Sequence, residues 1–130
     1  MSQPDSHQPP RLDVPFLLHA AERLPGDPQV DDLGPLYAAV ERMYARAMDR
    51  DIYGSPHLKA AALLQTLVKL PCLEHSNEAF AWHSAEAFLA LNGHRLNYAP
   101  KDAVALVRDA SAGSLGIARI ALQLRDWTTS

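Results

Sequence analysis

Between Pro56 and Leu70 the chain carries Leu58, Ala60, Ala61, Ala62, Leu63, Leu64, Leu67, Val68 and Leu70, so apolar residues occupy every side of a helix. A helix without a polar face is stable in water only when other elements surround it. It is also shorter than the roughly 20 apolar residues a bilayer span needs. Ser55 and Pro56 read as N-cap and first helical residue, and Pro71 ends the run. The rest of the chain is therefore expected to wrap around this segment.

A length of 130 residues allows one such domain, not two. Hydrophobic residues make up 48% and mean hydropathy is −0.16, which fits a folded, water-facing surface over a real core. The net charge of −3 argues against a duplex nucleic-acid binder, which needs a basic face. One cysteine, Cys72, excludes an internal disulfide and a zinc site made of thiolates alone. The polar start MSQPDSHQPP has no basic-then-apolar targeting signal, so the cytoplasm is the expected location.

Helical spacing recurs on both sides of the central run. Asp13 and Pro15 open a first helix through Leu24, and Pro25-Gly26-Asp27-Pro28 stops it. A second is expected from near Asp32, with Pro35 in its first turn, to about Ala47; its charges from Glu41 to Asp49 read as a solvated face. Ser76 is the N-cap candidate for a fourth helix over 77–91, closed by Asn92-Gly93. A fifth follows from Pro100 to Gly113, and a sixth from Ser114 to Trp127. No stretch alternates with period two long enough to make a strand. The expected fold is all-α, a single-domain bundle of about six helices over 12–130, behind a disordered leader at 1–11. At most one small hairpin is expected, near residues 25–32.

The densest set of reactive side chains precedes the fourth helix: Cys72, Glu74, His75, Asn77 and Glu78, with His83 further along. Cys72, His75, Glu78 and His83 are the metal-ligand candidates, but no HExxH or paired CxxC spacing supports them. A Cys72–His75 nucleophile pair is a second option, weaker than a buried structural thiol. His19 and His57 read as surface or cap residues, and Trp127 as a packing anchor. Of Phe80 and Trp82, one is expected in the core and the other at the mouth of a cleft.

Four pieces, in order, resemble the Fic/Doc (Fido) family, specifically the short Doc-like toxins of bacterial toxin–antitoxin modules. They are Leu24-Pro25-Gly26-Asp27, the run Tyr53–Leu64, the run Phe88–Leu96, and the helix Asp102–Gly113. The family's loop reads His-x-Phe-x-Asp/Glu-(Gly/Ala)-Asn-(Gly/Lys)-Arg. Counting back without a gap places it on Pro71–Ala79. Pro71 then stands for the catalytic His, Leu73 for the Phe and His75 for the metal-binding acid. Ser76 stands for the small residue, Glu78 for Gly/Lys and Ala79 for Arg. Asn77 alone is retained.

What the resemblance implies is a loop without its chemistry. Pro71 cannot act as a base, His75 is a poor ligand for Mg²⁺, and Ala79 cannot pair with phosphate. Each loss in such a site lowers a rate by about 10²–10⁴-fold. The family's inhibitory Ser/Thr-x-x-x-Glu-Gly/Asn motif is absent as well. Lys and Arg in place of Glu78 and Ala79 would alone bring the net charge from −3 to zero. The expectation is a toxin-like component with no nucleotide cofactor and no bound metal. Its partner would be an antitoxin seated helix-in-groove, with a homo-oligomer left open and no nucleic-acid or membrane partner. The alternative is a divergent nucleotide-dependent transferase acting on a protein hydroxyl through His75, Glu74 and Asn77.

Overall fold

The protein is described here by a computed structural model over residues 11–129. Residues 1–10 of the expected leader lie outside the described residues. Its last residue, Arg11, places its guanidinium 3.7 Å from the centre of the Tyr44 ring.

Six helices and one minimal hairpin follow in order: α1 (Val14–Glu22), α2 (Gly34–Met43), β1 (Arg46–Ala47), β2 (Arg50–Asp51), α3 (Pro56–Lys69), α4 (Asn77–Leu91), α5 (Pro100–Ala112) and α6 (Ile117–Trp127). The architecture is all-α, and α3 is its axis. Helix α3 packs against α2, α4, α5 and α6, most extensively against α4. Ala60 through Leu64 and Leu67 have no exposed surface. Burying Leu63, Leu64 and Leu67 contributes roughly 5–9 kcal/mol before chain entropy is counted. Facing elements supply Leu17, Leu36, Met43, Phe80, Phe88, Leu89, Ile120 and Leu124, all essentially fully buried. Among the described residues, no helix is long and apolar enough to cross a membrane.

Local signals set most of the boundaries. The Asp13 carboxylate accepts the Phe16 N–H at 2.9 Å to start α1, and the Ser55 hydroxyl accepts the Leu58 N–H at 3.1 Å to start α3. Gly113, at φ +85°, closes α5 in the left-handed conformation that glycine adopts without a Cβ clash.

Four expectations are corrected. The hairpin lies at 46–51, not 25–32. Its two-residue turn puts Met48 and Asp49 at φ +53° and +64°. Pro25 and Pro28 lack N–H donors, so that segment cannot close a ladder on itself. It pairs elsewhere, Val30 forming an antiparallel bridge with Leu73. Helix α2 stops at Met43 because the chain turns into β1, and α6 starts only after Gly116. Arg42 is not part of a solvated face: it is half-buried and donates to Tyr53 Oη at 3.2 Å and to Thr66 Oγ1 at 3.1 Å.

Histidine 57 is corrected too. It is 6% exposed, in the first turn of α3. Its Nε2 lies 2.8 Å from Thr128 Oγ1, whose hydroxyl donates to the Leu124 carbonyl, so the ring nitrogen is the donor. That contact reinforces the pairing of 95–97 with the C-terminal segment, where Asn97 N–H donates to Trp127 O and Thr129 N–H to Arg95 O. Phe80 and Trp82 are both buried. Trp127 is the packing anchor expected, its ring centre 6.0 Å from Trp82 and 5.7 Å from Tyr98.

Candidate functional site: the loop between α3 and α4

Pro71 ends α3, and the chain must reverse in a few residues to enter α4. Asn77 makes that reversal. Its Oδ1 accepts the N–H groups of Cys72 and Leu73, both at 3.0 Å, and its Nδ2 donates to Leu73 O at 3.0 Å. The side chain thus ties down backbone groups that neither helix can satisfy. Ser76 occupies the N-cap position but sits at φ +67°, and its hydroxyl makes no capping bond to α4. It meets His75 Nδ1 instead, at 2.7 Å.

The loop is covered by the segment after α1. Besides the Val30–Leu73 bridge, Asp31 N–H donates to Cys72 O at 2.8 Å and Glu74 N–H to Gln29 O at 3.0 Å. The Glu74 carboxylate returns to the same segment, accepting the Gln29 N–H at 3.1 Å. His75 lies against the turn at Gly26, where a Cβ would come within 3.2 Å of His75 Cε1. Gly26 is at φ +84°, so both its backbone and its neighbour exclude a side chain. His75 Nε2 is 3.9 Å from Glu74 Oε1, and both side chains are about half exposed.

Charge around the start of α4 is one-sided. Glu74 and Glu78 flank it, and the covering segment adds Asp31 and Asp32; neither 25–32 nor 71–79 contains Lys or Arg. Acids suit a helix N-terminus and oppose a phosphate there. Cys72 is 1% exposed, and burial, reinforced by Asp32, pushes its thiol up to about 11. The His75 ring is held by Ser76, Glu74 and Gly26 rather than by the thiol. A thiolate nucleophile is thus excluded by burial and charge. His75, Glu78 and His83 are exposed while Cys72 is interior, and among the described residues no group of three or more His, Cys, Asp or Glu could hold a metal ion.

Sequence reading located the loop but missed its cover. The spacing gave no sign that Gln29, Val30 and Asp31 would pair with residues more than 40 positions away. It also missed two grooves flanking α4. A cavity of about 530 Å³ between α1 and α4 is lined by Phe16, Ala20, Leu24 and Ala87. Another of about 550 Å³ between α4 and α5 is lined by Ala79, Trp82, Tyr98 and Val104, and starts at Glu78 beside the loop. Trp82 Nε1–H donates to Tyr98 Oη at 3.1 Å, and that hydroxyl donates to Glu86 at 2.8 Å. The aromatic wall is therefore fixed in place.

The site is thus an interhelical loop on an all-α scaffold, roofed by a paired segment and flanked by apolar grooves. Over 71 residues, 55% of its length, the chain is 42% identical to a protein of Mycolicibacterium smegmatis named Toxin Doc. The match covers 55% of that protein, so the chain spans about half the length of the curated relative it matches. No family model matches the chain.

Proposed function

We propose that this protein is a Doc-like component of a bacterial toxin–antitoxin module that has lost Fic-type transfer and acts by binding protein. Similarity to Toxin Doc supports the module; the state of the loop supports the loss. One observation carries that second part. Asn77, the retained signature residue, has both ends of its amide occupied by loop backbone. What remains accessible is acidic or neutral, around His75 and Glu74. The expected partner is an antitoxin whose amphipathic helix seats in a groove beside α4, with apolar anchors at helical spacing. On this reading the loop's residues, His75 and Asn77 included, are relics of a catalytic position, and the protein works in the bacterial cytoplasm.

The transferase alternative has one geometric point in its favour, the proximity of His75 to Glu74. Co-expression with the product of the neighbouring gene is expected to give a stable copurifying complex. Titration with Mg²⁺ and ATP by calorimetry is expected to show no Mg²⁺-dependent binding that disappears in His75→Ala. Growth inhibition abolished by His75→Ala, together with such binding, would overturn the binding reading in favour of transfer.

A further inference from the structure

We propose that the cavity at the N-terminal end of α3, framed by Arg11, Arg46 and Lys59, binds a phosphate monoester whose organic part packs on Tyr44, Pro56 and Phe88. The cavity has a volume of about 450 Å³, within the range of small-molecule sites. Ser55 and Pro56 at its edge begin α3, and Asn92 caps the end of α4. It therefore lies at the opposite end of the α3–α4 pair from the acidic loop, about 20 Å away by the length of α3.

Its cations are arranged before any ligand arrives. Asp51 accepts from Arg46 at 2.7 Å through one oxygen and from Lys59 at 2.9 Å through the other. Arg46 also donates to the Asp49 carbonyl, and Lys59 to that of Tyr53. The Lys59 side chain is only 13% exposed, so its ammonium is held in a partly desolvated position. Arg11 takes no part in this scaffold. Its guanidinium lies over the Tyr44 ring, while Tyr44 Oη accepts the Leu12 N–H at 2.8 Å and is fixed by it. Three cations and one carboxylate leave two positive charges at the cavity, and the helix N-terminus adds a partial one.

Charge and shape choose the ligand class. A dianionic phosphate balances the two charges, whereas a single carboxylate leaves one uncompensated. Tyr44, Pro56 and Phe88 line the apolar side of the cavity, which gives the organic group a seat that inorganic phosphate does not use. Nothing in this argument depends on the toxin reading, and the loop at the other end plays no part in it.

Phenyl phosphate, benzoate and inorganic phosphate titrated at matched ionic strength test the assignment by calorimetry. Saturable binding of phenyl phosphate below about 1 mM is expected, at least tenfold tighter than either comparator. Arg11→Gln, at an exposed residue outside the Asp51 scaffold, is expected to weaken it tenfold or more with an unchanged melting temperature. Arg108→Gln on α5 is the charge control and should bind as wild type. Lys59→Gln should also lose binding, though it loosens the hairpin, so Arg11→Gln decides. Absence of saturable binding, wild-type affinity in Arg11→Gln, or equal affinity for inorganic phosphate would each overturn the proposal.

Discussion

Replacing Asn77 by alanine removes three hydrogen bonds at once, two accepted by Oδ1 and one donated by Nδ2. Each is worth about 0.5–1.5 kcal/mol net, and more where a buried backbone group is left unpaired. Cys72 and Leu73 are buried, so their N–H groups cannot readily recover water. The expected loss is about 2–4 kcal/mol, a large share of the 5–15 kcal/mol typical of a domain. For a chain of this size that corresponds to a fall of roughly 6–15 °C in melting temperature. Urea denaturation followed by far-ultraviolet circular dichroism reads it as a lower midpoint at constant slope. Asn77→Asp keeps the acceptor for both N–H groups but sets a carboxylate oxygen against the Leu73 carbonyl, so it should also be destabilised, and less so at low pH, where the protonated acid can donate to that carbonyl. A loss below about 0.5 kcal/mol in Asn77→Ala would refute the reasoning. It would mean the loop holds its shape without this amide, leaving the residue free for a ligand.

Two further outcomes follow from burial. Cys72, with its thiol raised to about 11, should react with a disulfide reagent at pH 8 orders of magnitude more slowly in the folded protein than in 6 M urea. Equal rates would contradict its placement. His57 is held below its usual pKa by burial first, then by His94 and Arg125. The unfolded chain therefore binds the extra proton first as pH falls through about 6.5, and stability is expected to drop between pH 7.5 and 5.5. Asp51, lowered by its bond to Lys59, acts only near and below 3.8, outside that window. Urea midpoints across the range should show a positive slope with pH that flattens in His57→Gln; an unchanged slope in that variant would refute the assignment.

Residues 56–70 announced their place because burial on every side leaves a helix only one position in a small domain, the centre. Asp13, Ser55, Pro56 and Gly113 announced ends because caps act within four residues. What stayed illegible was set by distance or by competition. Val30 meets Leu73 through backbone bonds that carry no side-chain signature. Ser76 has the right chemistry for an N-cap, but the tight reversal forces it to φ +67°, and its hydroxyl turns to His75. Met48 and Asp49 form a hairpin turn without the glycine that would have marked it. His57 looked like a first-turn surface residue because nothing near it in sequence foretold that Thr128 would close over it.

The distribution of charge along the α3–α4 pair bears on both proposals at once. Glu74, Glu78, Asp31 and Asp32 collect where α4 begins, while Arg11, Arg46 and Lys59 collect where α3 begins. Both ends carry the same partial positive charge of a helix start, so the difference lies entirely in side chains. A unit charge about 6 Å from a like charge costs roughly 0.7–3 kcal/mol between aqueous and protein-like screening. A dianion at the α4 end would meet that repulsion from several carboxylates, with no Lys or Arg in the loop or its cover to offset it. At the α3 end the same dianion meets three cations, one carboxylate and a cavity of adequate size. Replacing Glu78 by Lys and Ala79 by Arg would shift that α4 end by three positive charges, so this pair of substitutions is where dianion binding at the start of α4 is expected to appear. On side-chain charge alone, the proposed anion site therefore falls at the start of α3 and not at the start of α4.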